Sequence, residues 1–308
     1  MLKKMKLKKN SRDLQDAIFF ASMVIIPTIQ FIIFYICVKI NTVTLSFKVY
    51  DPQTQSFNWD FTKNFSDFFY NLSTTKIFTV AIKNSLVASI FTVGFGIIIG
   101  LIFSLYIYRK QFGHKIFKVL LFMPSVVSSI VMATVFSKLA DNAYPELMNQ
   151  WFGIKVNGLF ADLNTRWGIL IFYALWSGFG SPILLYVGAM SGISESVSEA
   201  AKLDGCNIVK ESWYVTLPLI YPTIIVYITT GLATIFVNQL NLYSFYGGAA
   251  DPSIQTMGYW FYTQTASAQG AVAEYPYLSA VGLFFTFLAL PMTFGGRWFM
   301  TKIGPKTE

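Results

Sequence analysis

The sequence predicts an all-α integral membrane protein with six transmembrane helices. Of its 308 residues, 54% are hydrophobic and only 12% are charged, and the mean hydropathy is +0.53. Average soluble domains carry about 25% charged residues, so this chain has too few charges to cover the surface of a soluble globule. The apolar residues are also concentrated in six stretches of about 20 residues, the length that crosses the hydrocarbon core of a bilayer as a helix.

Each of the six stretches is predicted to be helical, because only helices and closed barrels satisfy the backbone in lipid. A barrel would require alternating segments of about ten residues instead of solid apolar runs. The first stretch is too long for the apolar region of a signal peptide, and no small-residue cleavage site follows it, so a retained anchor is expected. The predicted spans are 17–38, 85–108, 116–137, 167–190, 219–237 and 277–294.

The lysines and arginines predict the orientation of the chain. Of the 23, six precede residue 17, four lie in 109–118, two in 191–214 and three in 297–308, whereas 238–276 has none. Because short cytoplasmic connections are enriched in these residues, both termini and the 192–218 loop are expected to be cytoplasmic. The predicted parts are a basic cytoplasmic tail at 1–16, the first span and an outer loop at 17–79, a core transmembrane domain at 80–302 and a second cytoplasmic tail at 303–308.

Nucleic-acid binding, enzymatic chemistry and metal binding are not predicted. The net charge of +8 follows from the sidedness of the basic residues, although the basic tail can also contact anionic lipid. The sequence has no metal-ligand cluster, no Gly-x-x-x-x-Gly-Lys phosphate loop and no plausible nucleophile–base pair. Cys37 and Cys206 fall on opposite sides of the membrane and cannot form a disulfide. The chain is therefore predicted to be no enzyme and to hold no cofactor or metal.

A polar segment, EAAKLDGCNIVKESWYVTLP at 199–218, interrupts the apolar sequence between the fourth and fifth spans. Ser196 and Glu199 have the spacing of a capping box, which predicts a helix start, and Asp204-Gly205 fits a helix end with a left-handed glycine. A second short helix is expected over 207–215, before the chain re-enters the membrane. The residues alone allow either a simple connecting loop or a docking site for another surface at the bend.

The same segment resembles the cytoplasmic EAA loop of permease subunits of ABC importers. Glu199-Ala200-Ala201, Gly205 and Leu217-Pro218 match the family's pattern at the family's spacing, and Val215 stands where the family more often has isoleucine. The resemblance implies that 192–218 forms coupling helices in a cleft of an ATPase subunit, and that ATP and Mg bind to that partner. The residues implied in ATPase coupling are Glu199, Ala200, Ala201, Asp204, Gly205, Leu217 and Pro218.

The resemblance extends over about 80–302 and is to the first permease subunit of carbohydrate importers of the maltose and glycerol-phosphate type. It is carried by the second and third spans, by Phe122-Met123-Pro124 where that subunit has Leu-Pro, and by an outer loop at 240–256. It implies a type I ABC importer permease fold in the plasma membrane of a bacterium, with a sugar as the substrate. The implied partners are a second, different permease, two ATP-binding cassette subunits and an extracytoplasmic solute-binding protein.

Two spans offer the hydrogen-bonding groups and aromatic faces that a sugar requires at the middle of the membrane. The fourth contains WSGFGSP at 176–182, whose glycines and proline weaken the helix, and transporters line cavities with broken helices. In the fifth span, Thr230, Thr234 and Asn238 recur at every fourth position and would form one polar stripe along the helix. Alternatively, the threonines bond to their own helix carbonyls and the glycines allow close packing. The predicted substrate-path residues are Trp176, Ser177, Gly178, Ser181, Thr230, Thr234 and Asn238, of which Trp176 and Gly178 also match a Trp-x-Gly of this type of permease.

Other classes of protein remain as alternatives. A secondary transporter should show paired repeats and intramembrane charges, which are missing from the sequence. A channel subunit would lack a coupling loop, and a membrane scaffold would move no solute. Within the importers, a glycerol-phosphate-type solute is the alternative to a sugar, but a phosphate requires Arg or Lys in the middle of the spans, where the sequence offers none. Gly94, Gly96 and Gly100 are interpreted as helix packing, and Pro27, Pro124 and Pro291 as kinks.

Overall fold

The computed structural model describes residues 2–269 and 271–305, with side chains from residue 14 onward. The described chain is mostly helical and forms two compact units. The first unit contains the residues up to Phe69 together with Ala268–Leu283, and the second contains Tyr70–Ser267 together with the residues from Phe284 onward.

Fifteen α-helices and two short strands follow one another along the described residues. Three π-helical stretches, Phe31–Cys37, Leu139–Ala143 and Ser212–Thr216, join neighbouring α-helices into longer runs. The strands are β1 (Lys48–Asp51) and β2 (Ser56–Trp59). The helices are α1 (Leu2–Gln30), α2 (Val38–Ser46), α3 (Lys63–Thr74), α4 (Lys76–Tyr108), α5 (His114–Val126), α6 (Ser129–Lys138), α7 (Tyr144–Phe152), α8 (Leu163–Gly178), α9 (Gly180–Ser191), α10 (Glu195–Leu203), α11 (Ile208–Glu211), α12 (Leu217–Ala233), α13 (Leu242–Tyr246), α14 (Met257–Ser267) and α15 (Tyr275–Ile303).

The described helices confirm the prediction of several membrane spans. Four helical runs are long and apolar enough to cross a bilayer by themselves: Leu14–Ser46, Lys76–Tyr108, Ile208–Ala233 and Val272–Ile303. Two further pairs, α5 with the run Ser129–Phe152 and α8 with α9, pass the same test together but are bent at a short break. If each bent pair is one span, the described chain has six, which is the number predicted from the apolar stretches.

The first unit begins with the predicted anchor helix. Every described residue from 14 to 43 is exposed, so this apolar helix presents its whole circumference to its surroundings. It is followed by an antiparallel hairpin of β1 and β2, which is not among the elements predicted from the sequence. The Asn64 side chain of α3 ties the hairpin to the end of α2, because it donates to the carbonyls of Ser46 at 3.0 Å and Lys48 at 2.7 Å.

The third span differs from its prediction. It was expected to be one helix at 116–137 with a kink at Pro124, but α5 continues through Pro124 and ends at Val126. The chain then becomes extended at Val127, and the run Ser129–Phe152, which begins with α6, is bent by 104° from α5. Two β-branched valines followed by a serine of the N-capping type favour this extended break more than the proline does.

In the second unit, α4 packs closely against α9 and α12. Gly96 and Gly100 are buried, and a Cβ built on Gly100 would lie 3.3 Å from both Pro182 Cβ and Tyr186 Cε2. A Cβ on Gly94, by contrast, would meet nothing within 4 Å. Small-residue packing between helices is therefore confirmed at Gly96 and Gly100 and does not extend to Gly94.

A well-bonded loop follows α12 in the second unit. The Tyr259 hydroxyl accepts from the Ala250 N–H at 3.0 Å and donates to the Gly247 carbonyl at 2.9 Å. The Asn84 side chain of α4 donates to the Ser253 carbonyl at 2.8 Å. At the tip of the loop, the hydroxyl and the backbone N–H of Ser253 both donate to Asp251 and hold the pKa of that carboxyl below its usual range. These bonds give the loop a defined shape.

Candidate coupling segment and substrate path

Helix α10 begins the polar segment between the fourth and fifth spans. Ser194, in extended backbone, is the N-cap, and Glu195 in the first turn and Lys202 in the last complement the helix dipole. The predicted capping box at Ser196 and Glu199 is wrong, because the helix starts two residues earlier. Ser196 therefore lies inside the first turn, where its hydroxyl is 2.7 Å from the hydroxyl of Ser194.

The bend after α10 is a Schellman motif centred on Gly205. The Cys206 N–H donates to the Ala201 carbonyl and the Gly205 N–H to the Lys202 carbonyl, both at 3.0 Å. Gly205 has φ +78°, so the predicted left-handed glycine at the helix end is confirmed. A Cβ built on Gly205 would meet nothing within 4 Å, so the bend is open to the surroundings.

The second short helix, α11, leads directly into the fifth span. Its N-cap is Asn207, whose side-chain oxygen accepts from the Lys210 N–H at 2.8 Å. A π-helical turn then joins α11 to α12, and Pro218 lies in the first turn of α12. The predicted sequence of short helix, tight bend, second short helix and re-entry is therefore the observed one.

Most of the residues predicted to couple to an ATPase lie on an exposed surface. The exposed ones are Glu199, Ala200, Asp204 and Gly205, and the half-buried ones are Leu217 and Pro218. Ala201 lies on the buried side of α10. Large apolar side chains next to them are also exposed, with Leu203 at 89% and Val209 at 74%. Exposed apolar side chains grouped on a polar segment are typical of a surface that another protein covers.

One interaction in the segment is not apparent from the sequence. Glu211, which is 4% exposed, accepts a hydrogen bond from Arg109 Nη1 at 2.9 Å and one from the Ser198 hydroxyl at 2.6 Å. Arg109 follows α4, Ser198 lies on α10, and Glu211 ends α11. From the sequence alone, Arg109 contributed only to the predicted orientation of the chain. Its partner Glu211 is 102 residues away, so no local pattern connects the two residues.

The fourth span is broken where its glycines and proline predict a weak helix. Helix α8 ends at Gly178, α9 begins at Gly180, and the two are bent by 40°. Trp176 is half-buried just before the break, and its ring stacks on Phe136 with 5.7 Å between the ring centroids. Ser177 is half-buried, and Gly178 and Ser181 are exposed. The break therefore combines an aromatic pair with accessible small and polar residues.

The fifth span is shorter than its prediction, so Thr230, Thr234 and Asn238 do not lie along one continuous helix. Helix α12 ends at Ala233, short of the expected residue 237, so Asn238 lies beyond the helix and its side chain accepts from the Leu240 N–H at 2.9 Å. The Thr230 hydroxyl donates to the Val226 carbonyl at 2.9 Å, and the Thr234 hydroxyl to the Thr230 carbonyl at 3.0 Å. Both threonines satisfy their own helix, which is the alternative considered above.

No group of three or more metal-ligating side chains comes together among the described residues. Cys37 is exposed, Cys206 is half-buried, and both are free thiols.

The chain is similar to permease proteins of known transport systems. It is 24% identical to the "Multiple sugar-binding transport system permease protein MsmF" of Streptococcus mutans, over 85% of this chain and 88% of that protein. It is also 24% identical to the "Arabinooligosaccharides transport system permease protein AraP" of Halalkalibacterium halodurans, over 69% of this chain and 68% of that protein. These similarities are low in identity but cover most of each protein.

A solved structure shows the same fold. A chain of a bacterial ABC transporter involved in the import of the acidic polysaccharide alginate superposes with a TM-score of 0.73, over 95% of this chain and 98% of that chain. The sequences are 21% identical, so this likeness establishes the fold alone. The ABC importer permease fold predicted from the sequence is therefore confirmed.

The family is shown by a match over most of the chain. The family model for "Binding-protein-dependent transport system inner membrane component" matches residues 92–308, a range that includes the fourth-span break and the whole segment from α10 to α12. Members of this family are multi-pass proteins of the inner membrane and are transport components rather than enzymes, as the sequence predicted. The chain belongs to the family of inner membrane components of binding-protein-dependent transport systems.

Proposed function

We propose that this chain is the transmembrane permease subunit of an ATP-driven, binding-protein-dependent sugar importer, in which it forms half of the translocation path. The observation that carries this proposal is the segment from α10 to α12. It is a helix, a left-handed glycine bend and a second helix continuous with a membrane span. Because this chain has no nucleotide-binding loop of its own, it requires a docking segment of this kind to receive force from an ATPase partner.

The ATPase partner is proposed to cover the exposed face of α10. Glu199 is exposed there and would pair with a basic or amide group of the ATPase, while Leu203 supplies an apolar contact beside the Gly205 bend. ATP and Mg bind to two such ATPase subunits and not to this chain. A second, different permease completes the path, and an extracytoplasmic binding protein delivers the solute.

A sugar is the substrate that the described residues favour. The relatives named above handle several sugars, arabinooligosaccharides or alginate. At the fourth-span break this chain presents the neutral groups Trp176, Ser177 and Ser181. A glycerol-phosphate-type solute is the second candidate, and it is weaker because a phosphate requires cationic groups in the path.

The mechanism proposed is alternating access. ATP binding closes the ATPase pair, the coupling segments move together, and the path beside the broken fourth span opens outward to receive the sugar. Hydrolysis separates the ATPases and opens the path to the inside. Because α11 continues into α12 without an intervening loop, displacement of the segment is passed directly to the fifth span.

The test of the function is uptake by proteoliposomes that contain the chain, its second permease and the ATPase subunits. The importer proposal requires sugar uptake that depends on both ATP inside and binding protein outside. Uptake driven by an ion gradient without ATP would indicate a secondary transporter, passive flux would indicate a channel, and no flux at all would indicate a scaffold. Competition by a glycerol-phosphate ester separates the two substrate classes.

The orientation is proposed with both tails, 1–16 and 303–308, and the segment 192–218 in the cytoplasm. The 17–79 anchor and outer loop then precede an 80–302 permease core. With Cys37 and Cys206 replaced by alanine, a membrane-impermeant thiol reagent applied to intact cells should label Gln53→Cys and Ala249→Cys. Both positions are exposed on the proposed outer side. Lys202→Cys should be labelled only after the membrane is opened, and labelling of it in intact cells would reverse the orientation.

The aromatic face of Trp176 is expected to contact the sugar. Losing one aromatic contact costs about 0.5–1.5 kcal/mol, so Trp176→Ala should lower uptake about twofold to tenfold at limiting sugar. Trp176→Phe keeps an aromatic face and should retain most of the uptake. Uptake and binding-protein-stimulated ATP hydrolysis are measured in the same proteoliposomes. Normal uptake by Trp176→Ala, or a loss explained by failed assembly, would assign the ring to packing against Phe136.

A further inference from the structure

The buried carboxylate of Glu211 holds together three parts of the chain that are distant in sequence. One oxygen accepts from Arg109, the residue that caps the end of α4, at 2.9 Å. The other accepts from Ser198, in the middle of α10, at 2.6 Å. Glu211 itself lies at the start of the continuous run from α11 into α12. We call these three residues the Glu211 clamp.

Helix α10 has few other attachments to the rest of its unit. Ala201 is its one buried residue, and an alanine buries little apolar surface. The hydrogen bonds of the Schellman bend hold α10 next to α11, and they involve no residue of α4. The Ser198–Glu211–Arg109 bonds therefore provide a polar link between α10 and the inner end of the second span, and the charge of Lys202 on α10 adds a weaker attraction to Glu211.

The electrostatics of the clamp make it sensitive to loss of the carboxylate. The side chains of Arg109 and Glu211 are 14% and 5% exposed, so water screens this ion pair weakly. Arg109 Nε and Nη2 are also buried and find no hydrogen-bond partner within the part of the chain that the structure describes. Removing the Glu211 charge would leave a largely buried guanidinium without its anion, which is strongly unfavourable.

We propose that Glu211 is a positioning residue for energy coupling, and that the clamp makes α10 move as one body with the inner ends of α4 and α12. This inference rests on the proposed function. Displacement of α10 by the ATPase then reaches two spans at once, through the covalent path into α12 and through the ion pair into α4. Without the clamp, α10 follows the ATPase while α4 lags, so ATP is hydrolysed with less sugar moved.

The first test measures sugar transported per ATP hydrolysed by the reconstituted complex. Glu211→Gln should lower this ratio about tenfold or more while the complex still assembles, because a neutral amide cannot neutralise the buried Arg109. Ser198→Ala removes one hydrogen bond and should lower the ratio less, about twofold to fivefold. The matched control is Glu146→Gln, the same substitution at an exposed residue of α7, which should leave the ratio unchanged.

A charge reversal separates pairing from general damage. Arg109→Glu and Glu211→Arg should each lose coupling alone, and the double variant should recover at least about half of the wild-type ratio. Failure of the double variant to recover, in a complex that assembles, would overturn the proposal. Recovery in the double variant would show that the two positions are coupled, because the reversed ion pair restores what each single variant loses.

A distance measurement tests the clamp independently of transport. Spin labels at Val197→Cys on α10 and Gln111→Cys after α4, with Cys37 and Cys206 replaced by alanine, should give one narrow distance distribution in the full complex. Glu211→Gln should broaden it. An unchanged distribution together with an unchanged transport ratio would overturn the inference. If the wild-type complex shows no ATP-dependent uptake, the proposed function fails, whereas the spin-label result still decides whether the clamp exists.

Discussion

Replacing Gly205 with tryptophan is expected to lower ATP-driven uptake more than about tenfold while the chain still inserts into the membrane. Gly205 has φ +78°, and a Cβ there would meet nothing of this chain within 4 Å. The indole would therefore meet only the partner that covers the bend. Interface cores are packed like protein interiors, so overpacking there should cost more than about 1.4 kcal/mol and lower uptake more than about tenfold.

Two variants separate this steric effect from backbone strain. Gly205→Ala adds only the strain of a left-handed alanine, about 1–2 kcal/mol, and should retain part of the uptake. Gly153→Trp places the same side chain at another glycine with φ +67° and no neighbour within 4 Å, on the proposed outer side. It should transport normally. Normal uptake by Gly205→Trp, or equal loss in Gly153→Trp, would contradict a partner at the bend.

Replacing Gly100 with leucine is expected to prevent assembly of a stable permease. A Cβ at this position would lie 3.3 Å from Pro182 and Tyr186, and Tyr186 is fully buried, so neither neighbour can move away into solvent. Overpacking of this kind costs about 1–3 kcal/mol, and leucine adds three further carbon atoms to that first contact. The contact lies between α4 and α9, immediately after the fourth-span break.

Gly94 provides the control on the same helix. It is half-buried, and a Cβ there would meet nothing within 4 Å. The amount of purified complex and its melting temperature should therefore stay near wild type for Gly94→Leu and fall clearly for Gly100→Leu. Equal yields and melting temperatures for the two variants would show that α4 does not pack on α9 as described.

The features that the sequence predicted correctly are those with local causes. Long apolar runs determine where the spans lie, and the left-handed bend at Gly205 follows from helix formers that end at Asp204-Gly205. The break of the fourth span follows from its glycines and proline. Each of these signals acts within a few residues, so it can be identified without knowledge of the tertiary structure.

The features that the sequence did not predict depend on contacts or on competing local preferences. The partner of Glu211 is 102 residues away, so no local pattern could indicate the clamp. The third span was expected to bend at Pro124, but the chain becomes extended at Val127 instead. The polar stripe ending at Asn238 assumed an uninterrupted helix, and the threonines are satisfied by their own backbone.

The central claim, that α10 delivers force from an ATPase, is tested most directly by cross-linking at Leu203. This side chain is 89% exposed on α10, beside the bend. In the assembled complex, with Cys37 and Cys206 replaced by alanine, Leu203→Cys should cross-link to the ATPase subunit through a short thiol reagent. The yield should change when ATP is bound. An absence of any ATPase adduct from Leu203→Cys, or an equal ATPase adduct from Ala249→Cys in the loop after α12, would contradict the claim.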